Sequence, residues 1–246
     1  MKTSLSVLTL SLLAMAALAA EPVNKQVIAQ ADTEKSPAEQ PVFTYQPPLR
    51  GAPATRVGGG TRSVGTKSVQ LSVLAPNETG YTTRDKPTIY WYVSETITSP
   101  VELTLNTTEP LRDAATPSLE LTLQPPIAKG VHALRLDQHG VTLKPDVEYQ
   151  WFVAVVSNPA HRSSDVIAGG SIKRIAASAV ESKLKQAPQA QWPAVYAQSG
   201  IWYDAIDQLS QSISANPGDR RLRQQRAALL EQVGLREAAA FDREVR

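Results

Sequence analysis

Leu143-Lys144-Pro145-Asp146-Val147-Glu148-Tyr149-Gln150-Trp151-Phe152-Val153 is the stretch that decides how this chain is read. Pro145 and Asp146 are turn formers: proline presets φ, and aspartate tolerates left-handed backbone. Shortly after them, Tyr149, Trp151, Val153 and Val155 take every second position, with Glu148 before the first and Gln150 between the first two. Alternation of period two puts one set on each face of a strand. The stretch therefore predicts a tight turn that feeds a half-buried strand. Working outward, the same alternation recurs. Val69, Leu71 and Val73 share one face, as do Ile89, Trp91 and Val93 within Thr88–Ser94. Val101, Leu103 and Leu105 follow, then Leu119, Leu121 and Leu123, then 131–136 with Leu134 and Leu136 as the inward pair, and Val166 to Ile175 closes the set. Seven short strands divided by turn residues predict an antiparallel β-sandwich over residues 67–176.

The turn before Tyr149 resembles the corner that precedes a central strand in fibronectin type III and related immunoglobulin-like domains. There a tyrosine hydroxyl bonds back to the upstream backbone. The resemblance gives Tyr149 that role and makes Trp91 the core tryptophan facing it, with Trp151 also structural. The alternative is that Tyr149 and Trp91 are only large core residues.

Residues 177–246 lose the period-2 pattern and turn helical. Ala177–Ala187 ends before Pro188, and Ala190–Ser199 ends at Gly200, suited to a left-handed helix end. Trp202–Ala215 is closed by Asn216-Pro217-Gly218, a helix capped by Asp219 runs to Val233 and Gly234, and Leu235–Val245 is last. Gly200 and Gly234 lie 34 residues apart, as do Ala205 and Ala239. Thirty-four is the tetratricopeptide period, and Gly200 to Pro217 resembles the second half of such a repeat. Pro193 departs from that pattern. Two repeats are also fewer than a solenoid needs, so the tail is expected to dock on the sandwich, pair with a partner or be marginally stable. The fold class expected is mainly β with an α-helical tail.

Upstream, residues 21–66 read as a disordered tether. Pro22, Pro37, Pro41, Pro47, Pro48 and Pro53 interrupt any regular element, and too little apolar area is available to offset ordering entropy. Residues 1–20 have the anatomy of a signal peptide: Lys2, an apolar run from Leu5, and Ala17-Leu18-Ala19 before a cut near Ala19 or Ala20. The run is shorter than the roughly 20 residues that span a bilayer, so no transmembrane span is expected. The 246 residues contain no Cys and carry a formal charge of +2. That excludes a disulfide scaffold and thiolate metal sites, and gives no basic field of the kind nucleic-acid binders show. An exported chain without disulfides fits a bacterial periplasm or cell envelope.

Four features invite a chemical reading. Gly60 to Ser68 approximates a phosphate loop, but Thr66 is inserted before Lys67 and no hydrophobic strand precedes it. Ser182-Lys183-Leu184-Lys185 matches the S-x-x-K nucleophile pair without its companion motifs and reads as a solvated helix face. His132, His139 and His161 lack metal-ligand spacing. In His161-Arg162-Ser163-Ser164-Asp165, adjacent residues rarely converge on one atom, so Arg162 and Asp165 are expected to brace a turn. No catalytic, metal or cofactor residue is assigned. Two candidates for partner binding remain. Tyr90 and Tyr92 alternate with the core set and should face outward, either free to stack on a sugar or partner or covered by the helical tail. Arg220, Arg221 and Arg223, with Arg226, cluster at a helix start where positive charge opposes the macrodipole. They form either a site for an acidic partner or an anionic surface, or a solvated face.

An ordered set of segments now suggests a family. They are Arg56-Val57-Gly58-Gly59-Gly60-Thr61-Arg62, Leu74-Ala75-Pro76, Lys86-Pro87-Thr88-Ile89-Tyr90-Trp91-Tyr92-Val93, Tyr149-Gln150-Trp151-Phe152, Arg162 to Val166 with Gly170 and Ile172-Lys173-Arg174, and Tyr196 to Ala205. Together they resemble the bacterial domain of unknown function 928 over about residues 55–240. Ser164 stands where that pattern has Gly. The resemblance implies an exported protein and supplies no catalytic residues. The expected function is a non-enzymatic binding or adaptor protein of the envelope, its partner another envelope protein. The alternatives are a carbohydrate-binding module that uses Tyr90 and Tyr92 on a polysaccharide, and a hydrolase.

Overall fold

Strand β8 (Glu148–Val155) keeps the alternation seen in the sequence: Tyr149, Trp151, Val153 and Val155 are buried and the residues between them are half-buried. It lies at the centre of a five-stranded sheet of order β3-β9-β8-β5-β6, with β3 Gly80–Thr82, β5 Val101–Thr107, β6 Leu119–Leu123 and β9 Val166–Arg174. The second sheet has the order β1-β2-β4-β7, with β1 Thr61–Val64, β2 Lys67–Val73, β4 Thr88–Val93 and β7 Gly130–Arg135. The computed structural model describes residues 43–48, 56–57, 61–64, 67–108 and 118–245. These belong to one compact unit, Gln40–Arg246. The expected signal peptide, most of the expected tether and parts of the stretch that approximates a phosphate loop lie outside the described residues.

All seven expected strands are present, and two more join them. β1 lies in the stretch expected to be tether, and pairs antiparallel with β2 from Thr61↔Gln70 to Val64↔Lys67. β3 is three residues long and pairs parallel with β9, Gly80 opposite Ile172. The strands are therefore not all antiparallel, and the fold is mixed and sheet-rich. A three-residue strand carries no readable period, so only its long-range pairing reveals it.

One core joins the two sheets. Gly170 of β9 lies so close to Ala75 that a Cβ there would stand 2.6 Å from the alanine methyl. Leu71, Val73, Ile89, Trp91 and Val93 of one sheet and Leu103, Leu105, Trp151 and Val153 of the other are all nearly solvent-free. Trp91 also stacks on His132, its register partner across β4 and β7, with ring centroids 4.5 Å apart. At the corner, Asp146 takes a positive φ of 61° and its amide donates to the Arg174 carbonyl at 2.9 Å. The Lys144 amide donates to the Tyr149 hydroxyl at 3.2 Å, the back-bond expected of that tyrosine.

Five helices follow: α1 Ser178–Gln186, α2 Trp192–Gln198, α3 Trp202–Ala215, α4 Arg220–Gln232 and α5 Arg236–Glu244. Gly200 and Gly234 have φ of 76° and 77°. In both turns the next amide reaches back five residues, Ile201 to Tyr196 and Leu235 to Leu230, each at 2.9 Å. That is the Schellman closure, in which glycine adopts left-handed backbone without a Cβ penalty. The Asp219 side chain caps α4 through the Arg221 amide at 3.0 Å.

The first turn of α3 locks the helices to the sheets. Trp202 Nε1 donates to the Leu74 carbonyl at 2.8 Å. The Tyr203 hydroxyl accepts from Trp151 Nε1 at 2.9 Å and donates to the Ser171 carbonyl at 3.0 Å. Burial raises its pKa, so it remains a neutral donor. Asp204, 1% exposed, accepts from the Thr82 hydroxyl at 2.6 Å, the Thr83 amide at 3.0 Å and the Thr83 hydroxyl. Gly80 makes the approach possible, since a Cβ there would stand 2.6 Å from the Tyr203 ring.

Candidate functional site

Tyr90 and Tyr92 do lie on the face of β4 opposite its core set, but that face is covered. Both are buried, at 8% and 4% exposure. The Tyr90 hydroxyl donates to Asp207 Oδ1 of α3 at 2.8 Å, and the Tyr92 ring lies 5.5 Å from that of Phe241 of α5. Burial, and for Tyr90 the nearby Asp207 carboxylate, holds both hydroxyls above the usual tyrosine range. Of the two sequence readings, cover by the tail is the one realised. The two rings do not form a free stacking platform, because helices α3 and α5 need an apolar surface and this sheet face supplies it.

The arginine cluster also divides. Arg226 is buried and turned inward, its Nε and Nη2 on the two oxygens of Asp242 at 2.7 and 2.6 Å and its Nη1 on Ser210 Oγ at 2.9 Å. Arg223 approaches the same carboxylate at 3.8 Å, and its Nε is buried without a hydrogen-bond partner. Arg221 folds back onto its own cap, Asp219, at 3.0 Å, and Arg220 is exposed. The four residues thus do not form one cationic face. The helix turns Arg223 and Arg226 toward α5, where two guanidiniums share one buried carboxylate. No short-range signal marks Asp242 as their partner, 16 residues beyond Arg226.

Cover of the sheet is incomplete. Two adjoining cavities of about 360 and 440 Å³ remain between β4, β7 and the helices, with Tyr90 and Ala133 in the wall of both. The first takes Lys129, Arg223 and Arg226 into its lining, with Phe241 as an apolar wall. The second takes Arg84, Lys86 and Arg135, with Asp137, Asp207 and Gln211. Six basic and two acidic side chains line the two cavities, but Arg84 is paired with Asp207, Arg135 with Asp137, and Arg223 and Arg226 with the buried Asp242, which leaves Lys86 and Lys129 as the lining cations with no ion pair among the described residues. Asp207 is already engaged by Tyr90, by Gln211 at 2.9 Å and by Arg84 at 3.1 Å, and Asp137 by Arg135 at 2.9 Å. Lys86 and Lys129 are exposed at the rim. Chemically the groove is suited to oxyanions, above all carboxylates, through charge-assisted bonds.

Other candidates are engaged by neighbouring groups. His132 Nε2 lies 2.7 Å from the Ala128 carbonyl, and among the described residues no group of three or more potential ligands converges on a metal position. Arg162 bonds Asp165 at 2.6 Å, as expected of a braced turn, and also grips Glu102. Lys183 and Lys185 are exposed on α1, bonded to Ser199 and Glu181. No helix among the described residues is long and apolar enough to cross a membrane. The family profile described as Domain of Unknown Function (DUF928) matches residues 57–241. No curated protein matches the chain.

Proposed function

The chain belongs to the DUF928 family, and from that premise we propose that it is an exported, non-enzymatic adaptor of the bacterial envelope whose groove between β4, β7 and α3 grips an acidic segment of a partner protein. Lys86 and Lys129, exposed at the rim of that groove, carry this reading, with the guanidiniums of Arg84 and Arg135 beside them. Positive charge focused in a cleft attracts acidic chains and speeds their capture. Residues 1–20 supply the export signal. The adaptor's body is an immunoglobulin- or fibronectin-type sandwich followed by a short tetratricopeptide-like tail. The Lys144–Tyr149 back-bond supports the first part, and the matching glycine closures 34 residues apart support the second.

The test is fluorescence anisotropy of a labelled Glu₈ peptide with the mature chain at low and physiological salt. Binding should weaken with salt. It should fall at least tenfold in a Lys86→Glu/Lys129→Glu chain and stay unchanged in Lys185→Glu, a reversal off the groove. Equal affinity for a Gln₈ peptide, or equal loss from all three reversals, sinks the proposal.

A further inference from the structure

Residues 43–48, read from sequence as part of a disordered tether, are docked in a groove of the helical tail. Phe43 and Tyr45 are buried, while Thr44, Gln46 and Pro47 are exposed. The main chain does most of the holding. The Tyr45 amide donates to Gln232 Oε1 at 2.8 Å, and Gln232 Nε2 donates to the Phe43 carbonyl at 2.7 Å. The Gln46 amide donates to the Ala197 carbonyl at 3.1 Å. One carboxamide thus offers an acceptor and a donor to the peptide groups flanking Thr44, as the edge of a strand would, and it reads backbone rather than side chain. The Tyr45 ring meets Trp202 edge-on with centroids 4.9 Å apart. Gly200 leaves the room, since a Cβ there would stand 2.9 Å from the Gln46 carbonyl oxygen.

The chain is anchored again at Arg56 and Val57, whose amides donate to the Asn77 and Gly169 carbonyls at 3.1 and 3.0 Å. Residues 49–55 lie between the two anchors and can span up to about 25 Å. The segment can therefore leave its groove without displacing the second anchor.

We propose that this groove is a peptide-recognition site. It takes an extended segment of another protein that carries aromatic residues at alternate positions followed by proline, and Phe43–Pro48 is its resident competitor, a strap in cis. The strap itself identifies the occupant: the groove holds Phe-Thr-Tyr-Gln-Pro-Pro by clamped backbone and two alternate rings. Because the strap belongs to the same chain, it competes for the groove intramolecularly. A partner segment binds only the open fraction, which lowers its apparent affinity by that fraction. This site is separate from the cationic groove, since Gln232, Ala197 and Trp202 line neither of those cavities.

Two measurements on the whole chain test it. Amide hydrogen exchange at Tyr45 and Gln46 reports the open fraction of the strap, expected to exchange at least tenfold faster than the core amides of β8. A labelled peptide of residues 41–50, with a scrambled control, is then titrated into wild type, Tyr45→Ala and Tyr45→Ala/Gln232→Ala chains. Tyr45→Ala should bind at least tenfold tighter than wild type, by about the inverse of the open fraction, and Gln232→Ala should abolish the gain. The proposal is overturned if the strap amides exchange only by global unfolding, which needs no variant to fold. It is overturned equally if a Tyr45→Ala chain with unchanged far-UV circular dichroism takes up no peptide, or takes the scrambled one as well.

Discussion

Removing the Asp204 carboxylate should cost far more than neutralising it. The side chain is 1% exposed and accepts bonds from the Thr82 hydroxyl, the Thr83 amide and the Thr83 hydroxyl, joining the first turn of α3 to the strand β3. Asp204→Ala leaves those donors without an acceptor in a dry site. At about 1–3 kcal/mol for each orphaned group, with hydroxyls free to re-aim, the loss should be about 3–4 kcal/mol. Asp204→Asn keeps an acceptor for Thr83, and its amide can donate to Thr82, so it should stay within about 1 kcal/mol of wild type at pH 7. Burial, the largest influence, pushes the Asp204 carboxyl above its usual value, against the pull of the threonine bonds and Arg84. A folded-state pKa above the unfolded one favours the protonated form in the native state. That contribution is complete below the unfolded value, about 4, and is lost as pH rises through the folded value. Wild-type stability relative to Asp204→Asn should therefore fall as pH rises from about 4. Urea unfolding between pH 4 and 7, followed by tryptophan fluorescence and by far-UV circular dichroism, measures it. Trp151 and Trp202 sit at the joint and the second signal reports the helices, so the two curves should coincide. An Asp204→Ala cost under about 1 kcal/mol, a pH-independent difference, or helices that melt apart from the tryptophan signal would refute the reasoning.

Two further outcomes are expected. Asp242→Ala strips the buried Arg226 of both its carboxylate bonds and should cost about 3–5 kcal/mol in thermal or urea unfolding, while Arg226→Met/Asp242→Leu should recover only part of that loss, because Arg223, which shares the carboxylate, still loses its partner. Tyr149→Phe removes the acceptor of the Lys144 amide and should cost about 0.5–1.5 kcal/mol, and an unchanged urea midpoint would reject the bond as a structural element.

Strand β8, the Asp146 turn and the two glycine helix ends were legible because each signal is local. Alternation needs only neighbours two apart, and a left-handed helix end needs only a residue without a Cβ. Helix α3 was legible to its observed bounds for the same reason. β3 was not, because its three residues carry no period and it forms only where β9 offers an edge. Nor was the docking of Phe43 and Tyr45. Proline-rich composition rightly reports a chain with no regular element of its own, and it is silent on a groove built elsewhere.

The sequence by itself determined most of the elements, their faces and the closures between helices, since these depend on contacts a few residues apart. Only the tertiary structure decided what the outward faces do. Tyr90 and Tyr92 were known to point away from the core, but that α3 and α5 cover them follows from packing more than 100 residues along the chain. Arg223 and Arg226 lie on one helix face with Arg220 and Arg221 at its start, yet their division between solvent and a shared carboxylate depends on where α5 places Asp242. The cationic groove and the Phe43–Pro48 dock are both places where separate elements meet, and the charge and shape of such a place belong to no single stretch of chain.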